Sequence, residues 1–256
     1  MIMRFQSRLA AATLALTLAA WPRESAAQSA SQLGAWLGLM LSPVGALAPV
    51  AVDPREIAHG ADVLSLRSGR WRYDVEDAVH DNIGLAWSHS LGFARTQVTL
   101  TGAYGLVECP SCSTLVIGGI DLQSTLLTLT VATWSGRPVA TGVGLRVSVG
   151  GGSELSTSAS TAASVTIAMP IDIALPFKKT SMLCVSIVPG FGYGRTASSD
   201  LSESGFLPML GAAIAWTVTS SIGVDLGVQR IFIAGAPTQF GGAFSLKLGT
   251  GGRSQP

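Results

Sequence analysis

The side chains able to do chemistry are few and widely spaced. Cys109-Pro110-Ser111-Cys112 is the tightest constellation. In an oxidising compartment a local disulfide between Cys109 and Cys112 is its plain reading. A thioredoxin-type redox pair would want the second cysteine at a helix start, and strand-like residues from Leu115 to Leu122 follow instead. The total of three cysteines excludes a four-cysteine zinc site, and a mixed Cys/His site stays open but lacks any usual spacing. Cys184 is left over and is expected to be a buried free thiol. A histidine base could come only from His59, His80 or His89. His89 lies between Ser88 and Ser90, but neighbours one apart on a strand point to opposite faces, so neither serine can serve it. Its plain reading is an interfacial residue beside Trp87. His59 and His80 share an irregular stretch with Asp62, Asp74, Glu76, Asp77 and Asp81, where calcium or protease chemistry would have to be sited. Gly150-Gly151-Gly152 is not followed by a helix and so is no phosphate loop.

The elements that must position these residues are strands. From Asn82 onward the apolar period is two. Ile83, Leu85, Trp87, His89 and Leu91 alternate with Gly84, Ala86, Ser88 and Ser90, and Val143, Leu145, Val147 and Val149 alternate with Gly142, Gly144, Arg146 and Ser148. Segments 98–106, 116–123, 165–175, 183–193, 210–218, 222–228 and 240–248 repeat the scheme. A water-soluble barrel would carry Lys, Glu and Thr on its second face. Here that face is Gly, Ala and Ser, which suits a narrow lumen inside a wall of Val, Leu and Ile. Asp121, Gln123, Arg146, Asp172, Asp225, Gln229 and Lys247 fall in or beside this small-residue phase and form the candidate polar lining. On the lipid face each charge among them would cost up to ~2–4 kcal/mol, Asp less. Arg230 shares the outward phase of Val228 at a strand end, where its side chain can snorkel. Two uses of the lining remain open: a polar passage, or a plug in which opposite charges pair across the barrel.

Composition and targeting agree with this. Charged residues make up 12% of the 256, against roughly 25% in ordinary domains. Mean hydropathy is +0.45, yet after the first apolar run none approaches the ~20 residues of a spanning helix. Arg4 and Arg8, the apolar run from Leu9 to Ala20, and Ser25-Ala26-Ala27 before Gln28 have the layout of a secretory signal peptide over residues 1–27. The barrel domain is then expected over 28–248 and a short tail over 249–256. The net charge of +1 and the absence of basic clusters argue against a nucleic-acid partner. No cofactor or metal is expected. Connections 94–96, 176–181 and 219–221 are short, whereas 107–113, 150–162 and 195–207 are longer, matching periplasmic turns and outer loops. Connection 126–137 should be short and is middling. Bacterial barrels have even strand numbers. Residues 32–41, with Leu33, Ala35, Leu37, Leu39 and Leu41 alternating, are therefore assigned as the first of about ten strands (eight being the alternative), with 42–80 as a long outer connection. Residues 61–66 could be a further strand and 71–79 a short helix or lid.

The closing segment, with Gln239, Gly241, Phe244 and Leu246, resembles the assembly signal of outer-membrane barrels. Val188-Pro189-Gly190-Phe191-Gly192-Tyr193-Gly194-Arg195, Pro208-Met209-Leu210-Gly211-Ala212, Gly227-Val228-Gln229-Arg230-Ile231-Phe232-Ile233 and Pro237-Thr238-Gln239-Phe240-Gly241 resemble the C-terminal half of small bacterial outer-membrane β-barrels of the OmpA-type and OmpW-type superfamily. In that family the last strand usually ends the chain on an aromatic residue. Here it ends at Leu248 with residues following. The resemblance implies an all-β, antiparallel up-and-down transmembrane barrel, inserted by the barrel-assembly machinery into outer-membrane lipid. It implies no single activity. The expectation is a non-enzymatic barrel with a structural or surface-interaction role. The alternatives are a narrow pore for small solutes or hydrophobic compounds and, third, a lipid-modifying enzyme. Trp87, Tyr104, Tyr193, Trp216 and Phe232 are expected in the aromatic girdles.

Overall fold

The computed structural model describes residues 30–40, 42–51, 62–72, 79–91, 96–107, 115–134, 136–154, 161–177, 181–197, 202–219, 222–233 and 238–248. Two short helices, α1 (Ala30–Met40) and α2 (Pro43–Ala46), precede β1 (Asp62–Arg72), β2 (Val79–Leu91), β3 (Thr96–Val107), β4 (Leu115–Trp134) and β5 (Arg137–Glu154). There follow β6 (Thr161–Ala168), β7 (Ile171–Pro176), β8 (Met182–Ala197), β9 (Ser202–Thr217), β10 (Ile222–Ile231) and β11 (Thr238–Leu248).

Strands consecutive in sequence pair antiparallel, except that β6 and β7 each pair with β5 and β8 instead of with each other, and β11 pairs with β1, so the pairings return to their start. β6 and β7 lie end to end between β5 and β8 in one unbroken register. Arg146↔Ala168 continues as Val143↔Ile171, and Ala168↔Gly190 as Ile171↔Ile187. The interruption is Met169-Pro170, where proline has no N–H to give the ladder. Its carbonyl still accepts from Gly144 N (2.9 Å), and Met169 N donates to Pro189 O (2.9 Å). The eleven segments therefore make ten staves of an up-and-down transmembrane-type barrel. Outward side chains such as Leu66, Ile83, Leu85, Ile120, Ile187 and Leu226 are exposed, while Ser65, Ala86, Ala103, Ala174, Ser186 and Ala213 face inward and are buried.

The count of ten agrees with the sequence, but the first stave does not. Residues 32–40 are not a strand but part of α1, Leu41 lying outside the described residues, and β1 occupies part of the region expected to be a long outer connection. The reason is hydrogen bonding: with the ring closed by β1 and β11, an extended segment inside it would have no ladder to join. A helix satisfies its own backbone. Residues 30–40 hold no β-branched side chain, and Gly34 and Gly38 lie one turn apart on one face. That face touches the wall. A Cβ on Gly34 would overlap Glu203, and one on Gly38 would overlap the backbone of Arg195. Ser42 then caps α2, accepting from Gly45 N at 3.4 Å, with Pro43 at the first helical position.

Connection 126–137 is also corrected. β4 continues to Trp134 and turns through Gly136 at φ 75°. Bulges between Thr125 and Leu127 and between Thr130 and Ala132 shift the apolar phase from even to odd positions, so the alternation breaks without the strand ending. The connections at the mouth holding 92–95, 135–136, 177–181 and 218–221 are short. The opposite mouth carries 73–78, 108–114, 155–160, 198–201 and 232–237. Trp87 and Trp216 are exposed toward the first mouth, Tyr104 and Phe206 toward the second, with Tyr193 5.0 Å from Phe206.

Residues 30–51 fill the middle. α1 lies near the long-loop mouth, where Ala35, Trp36, Leu39 and Met40 pack with Leu207, Met209 and Ile231. Pro43 reaches Gly119 and Gly150, Leu47 reaches Gly84, and Pro49 reaches Gly211 and Gly227. Ala51 packs with Ala140, Ala174, Cys184 and Ala213 toward the short-turn mouth. Gly194→Val should therefore lower the temperature at which the folded band disappears in heat-modifiability gels. A Cβ there overlaps the Ala35 carbonyl, and overpacking costs about 1–3 kcal/mol. Gly102→Val, where nothing lies within 4 Å of the added Cβ, should leave that temperature unchanged.

Candidate functional site

The inward residues of β1, β4, β5 and β10 bring charge together beside the lumen segment. Asp121 and Arg146 sit on paired strands one step out of register, Asp121 opposite Ser148 and Arg146 opposite Gln123. The guanidinium meets Asp121 Oδ2 through Nε at 2.8 Å and Nη2 at 2.7 Å, while Ser148 Oγ donates to Oδ1 at 2.7 Å. Both carboxylate oxygens are thus occupied. Arg67, on β1, donates from Nε to Ser65 Oγ at 3.1 Å and stands in the field of Arg146, Asp121 and Asp225. Two arginines and two aspartates make this cluster formally neutral, which a low-dielectric interior requires. Gln123 and Gln229 are buried on the same inner face. Asp172 lies deeper toward the short-turn mouth, 3% exposed, and accepts from Ser186 Oγ at 2.5 Å.

Of the polar lining expected from sequence, Asp121, Gln123, Arg146, Asp172, Asp225 and Gln229 are inside, and the first three adjoin. Lys247 lies in β11 opposite Val63, with its side chain outside the description. Gln239, Gly241, Phe244 and Leu246 are likewise placed by backbone alone, opposite Trp71, Gly227, Leu66 and Leu64 respectively. Cys109 and Cys112 lie outside the described residues. Cys184 is buried among Ala51, Ala140, Ala174 and Ala213 and is not in a disulfide. Arg67 was missed by sequence reasoning. Its signal was present in the alternation Leu64-Ser65-Leu66-Arg67, within a stretch assigned mostly to a loop.

Among the described residues, the crevices beside the lumen segment are small. One crevice of about 10 Å³ lies between Pro43 and Arg67, Thr101, Asp121, Arg146 and Ser148. Another of about 20 Å³ lies between Pro49 and Arg146, Thr166, Met209 and Gln229. Holding one water takes about 10–15 Å³, so neither offers a continuous path.

The outer wall carries a second arrangement. His89 Nδ1 is 2.8 Å from Asp62 Oδ1, and its ring stacks on Trp87 with centroids 5.9 Å apart. Ser88 and Ser90 are buried on the opposite face, and Ser88 Oγ bonds Thr99 Oγ1 at 2.9 Å. His89 therefore has a carboxylate partner, but neither adjacent serine shares its face. Asp81 pairs bidentately with Arg70 at 2.6 Å near the other mouth. Asp62 and Asp81 are thus at opposite ends of the wall. His59, Asp74, Glu76 and Asp77 lie outside the described residues, and of His80 only the backbone is described.

Asp121→Asn should destabilise the folded barrel by about 3 kcal/mol in urea titration, because it strips the counter-charge from a buried guanidinium. Adding Arg146→Gln should recover part of that loss, giving a coupling energy in the double-mutant cycle.

No family model matches the sequence, nor does any curated protein. Solved structures similar to it include the β domain of the Bordetella autotransporter BrkA, with TM-score 0.42 and 8% identity over 74% of this chain and 99% of that one. The N-terminal β-barrel domain of Pseudomonas aeruginosa OprF gives 0.31 and 9%, covering 74% and 98%. Ail, the attachment invasion locus protein of Yersinia pestis, gives 0.29 and 9%, covering 74% and 98%.

Proposed function

We propose that this chain is an integral outer-membrane β-barrel, closed by its own residues 30–51, with a structural or surface-interaction role and no catalytic activity. The observation that carries the reading is the filled lumen inside an apolar wall. The segment touches inward positions of β2, β4, β5, β8, β9 and β10, and the crevices beside it hold a water at most. The outward Leu, Ile and Val side chains have a low-energy environment only against hydrocarbon. Membership of the OmpA-type or OmpW-type superfamily, a cleaved signal peptide and insertion by the barrel-assembly machinery belong to the same reading. The partners are then membrane lipid and whatever meets the outer loops. Neither nucleic acid nor a cofactor has a part.

A narrow pore is the second reading, favoured by Arg67, Asp121, Arg146, Asp225 and Gln229 on the inner face. It needs the lumen segment to leave. Lipid modification at His89 and Asp62 would lack an adjacent serine nucleophile. Purified protein should require detergent, migrate heat-modifiably on gels and show no discrete conductance steps in planar bilayers. Steps that change size on Arg146→Ala would favour the pore. Changed lipid profiles on overexpression would favour the enzyme, and freely water-soluble monomer would end the membrane reading.

A further inference from the structure

We infer that the barrel threads its own residues 30–51 along the lumen and presents the amino-terminal end of α1 at the long-loop mouth, opposite the mouth at which β1 begins. The inference takes its sense of direction from the outer-membrane reading above. Its geometry is independent of that reading.

The wall itself begins and ends at the short-turn mouth, since Asp62 pairs with Leu248 there. An even number of staves brings both wall ends back to one side. The lumen segment moves the start of the chain to the other. Read backwards from β1, Ala51 packs with Cys184 and Ala174 toward the short-turn mouth, Pro49 meets Gly211 and Gly227, and residues 43–47 lie farther up, Leu47 against Gly84, Ala46 and Leu47 with Ala103, Ile117 and Ala162, and Pro43 against Gly119 and Gly150. α1 comes last, against Gly192, Gly194 and Gly205, close to the 198–201 connection. Thr196 Oγ1 donates to Gly34 O at 2.6 Å at that rim, and Gln32 is exposed there. The segment makes one pass.

The tethers that hold the pass are backbone tethers. Asn82 Nδ2 donates to Ala46 O at 3.0 Å, and Ala48 N donates to Ser68 O at 3.4 Å. Ser68 lies in a gap in the β1–β11 pairing, between Arg67↔Ala243 and Arg70↔Phe240, with the register the same on both sides. The seam that closes the ring thus also anchors the segment that crosses it.

The test is cysteine accessibility in the full chain, expressed in a Gram-negative host with Cys109→Ser and Cys112→Ser and with buried Cys184 retained. Gln32→Cys reports α1, Ser202→Cys the long-loop mouth, and Thr219→Cys the short-turn mouth, each checked for a heat-modifiable folded band. A membrane-impermeant maleimide on intact cells should label Gln32→Cys as fully as Ser202→Cys, and Thr219→Cys only after permeabilisation. Gln32→Cys protected on intact cells while Ser202→Cys reacts would overturn the inference and leave the outer-membrane reading standing. Thr219→Cys reacting on intact cells while the other two stay protected would reverse the orientation and overturn it as well. No difference between intact and permeabilised cells at any position would sink the outer-membrane reading itself. Leu37→Cys, on the exposed side of α1, replaces Gln32→Cys if that variant fails to fold.

Discussion

A ring of ten staves with glycine, alanine and serine on its inner face cannot fill its own middle. Around eight strands, inward side chains of ordinary size nearly close the interior. Here the ring is wider and its inward side chains are smaller, so the gap must hold water or other protein. It holds residues 30–51. Small inner residues and lumen segment are therefore one feature: Gly119 and Gly150 make room for Pro43, Gly192 for Leu39, and Gly227 for Pro49. Enlarging Gly119, Gly150 or Gly227 pushes on backbone or on a proline ring, groups with little freedom to yield, whereas at Gly192 it pushes on the Leu39 and Met209 side chains.

The same closure dictates the conformation of what enters. In a sealed ladder nearly every wall N–H and C=O is already paired, so an entering chain must satisfy itself or find gaps. α1 does the first. The stretch after α2 does the second, taking the Asn82 side-chain amide and the Ser68 carbonyl at the seam. The two prolines in contact with the wall, Pro43 and Pro49, add no N–H to be satisfied. A polar group such as the Ser42 hydroxyl survives complete burial because it both donates to Leu39 O, at 2.7 Å, and caps α2.

The architecture of the wall was legible because its chemistry repeats at the strand period in nearly every stave. The lining residues Asp121, Arg146, Asp172 and Asp225 could be placed inside by phase alone, since a charge on the lipid face has no compensation. Their partners could not. That Asp121 meets Arg146 and Ser148, and that Arg67 joins them from β1, three strands earlier, depends on register and on the curl of the wall, which no local pattern encodes. The 126–137 region misled for a related reason. A bulge changes the phase of alternation without ending a strand, and in a list of residues that looks like a loop.

The lumen segment was hidden by a degeneracy that has a physical origin. Leu33, Ala35, Leu37, Leu39 and Leu41 alternate, which is the usual mark of a half-buried strand. A helix surrounded by protein on most sides needs few polar positions, and so it is free to carry that pattern by coincidence. What separates the two readings is the complementary set: Gly34 and Gly38 lie four apart with no β-branched residue between them, and Ser42-Pro43 then starts a new turn. Glycines at that spacing weaken an isolated helix, by about 1 kcal/mol each relative to alanine. They are tolerable only where a close-packed surface returns the loss. Here Glu203 and the Arg195 backbone supply that surface. The glycine pair thus makes sense only for a helix pressed against a wall, and among the described residues that wall is the chain's own barrel.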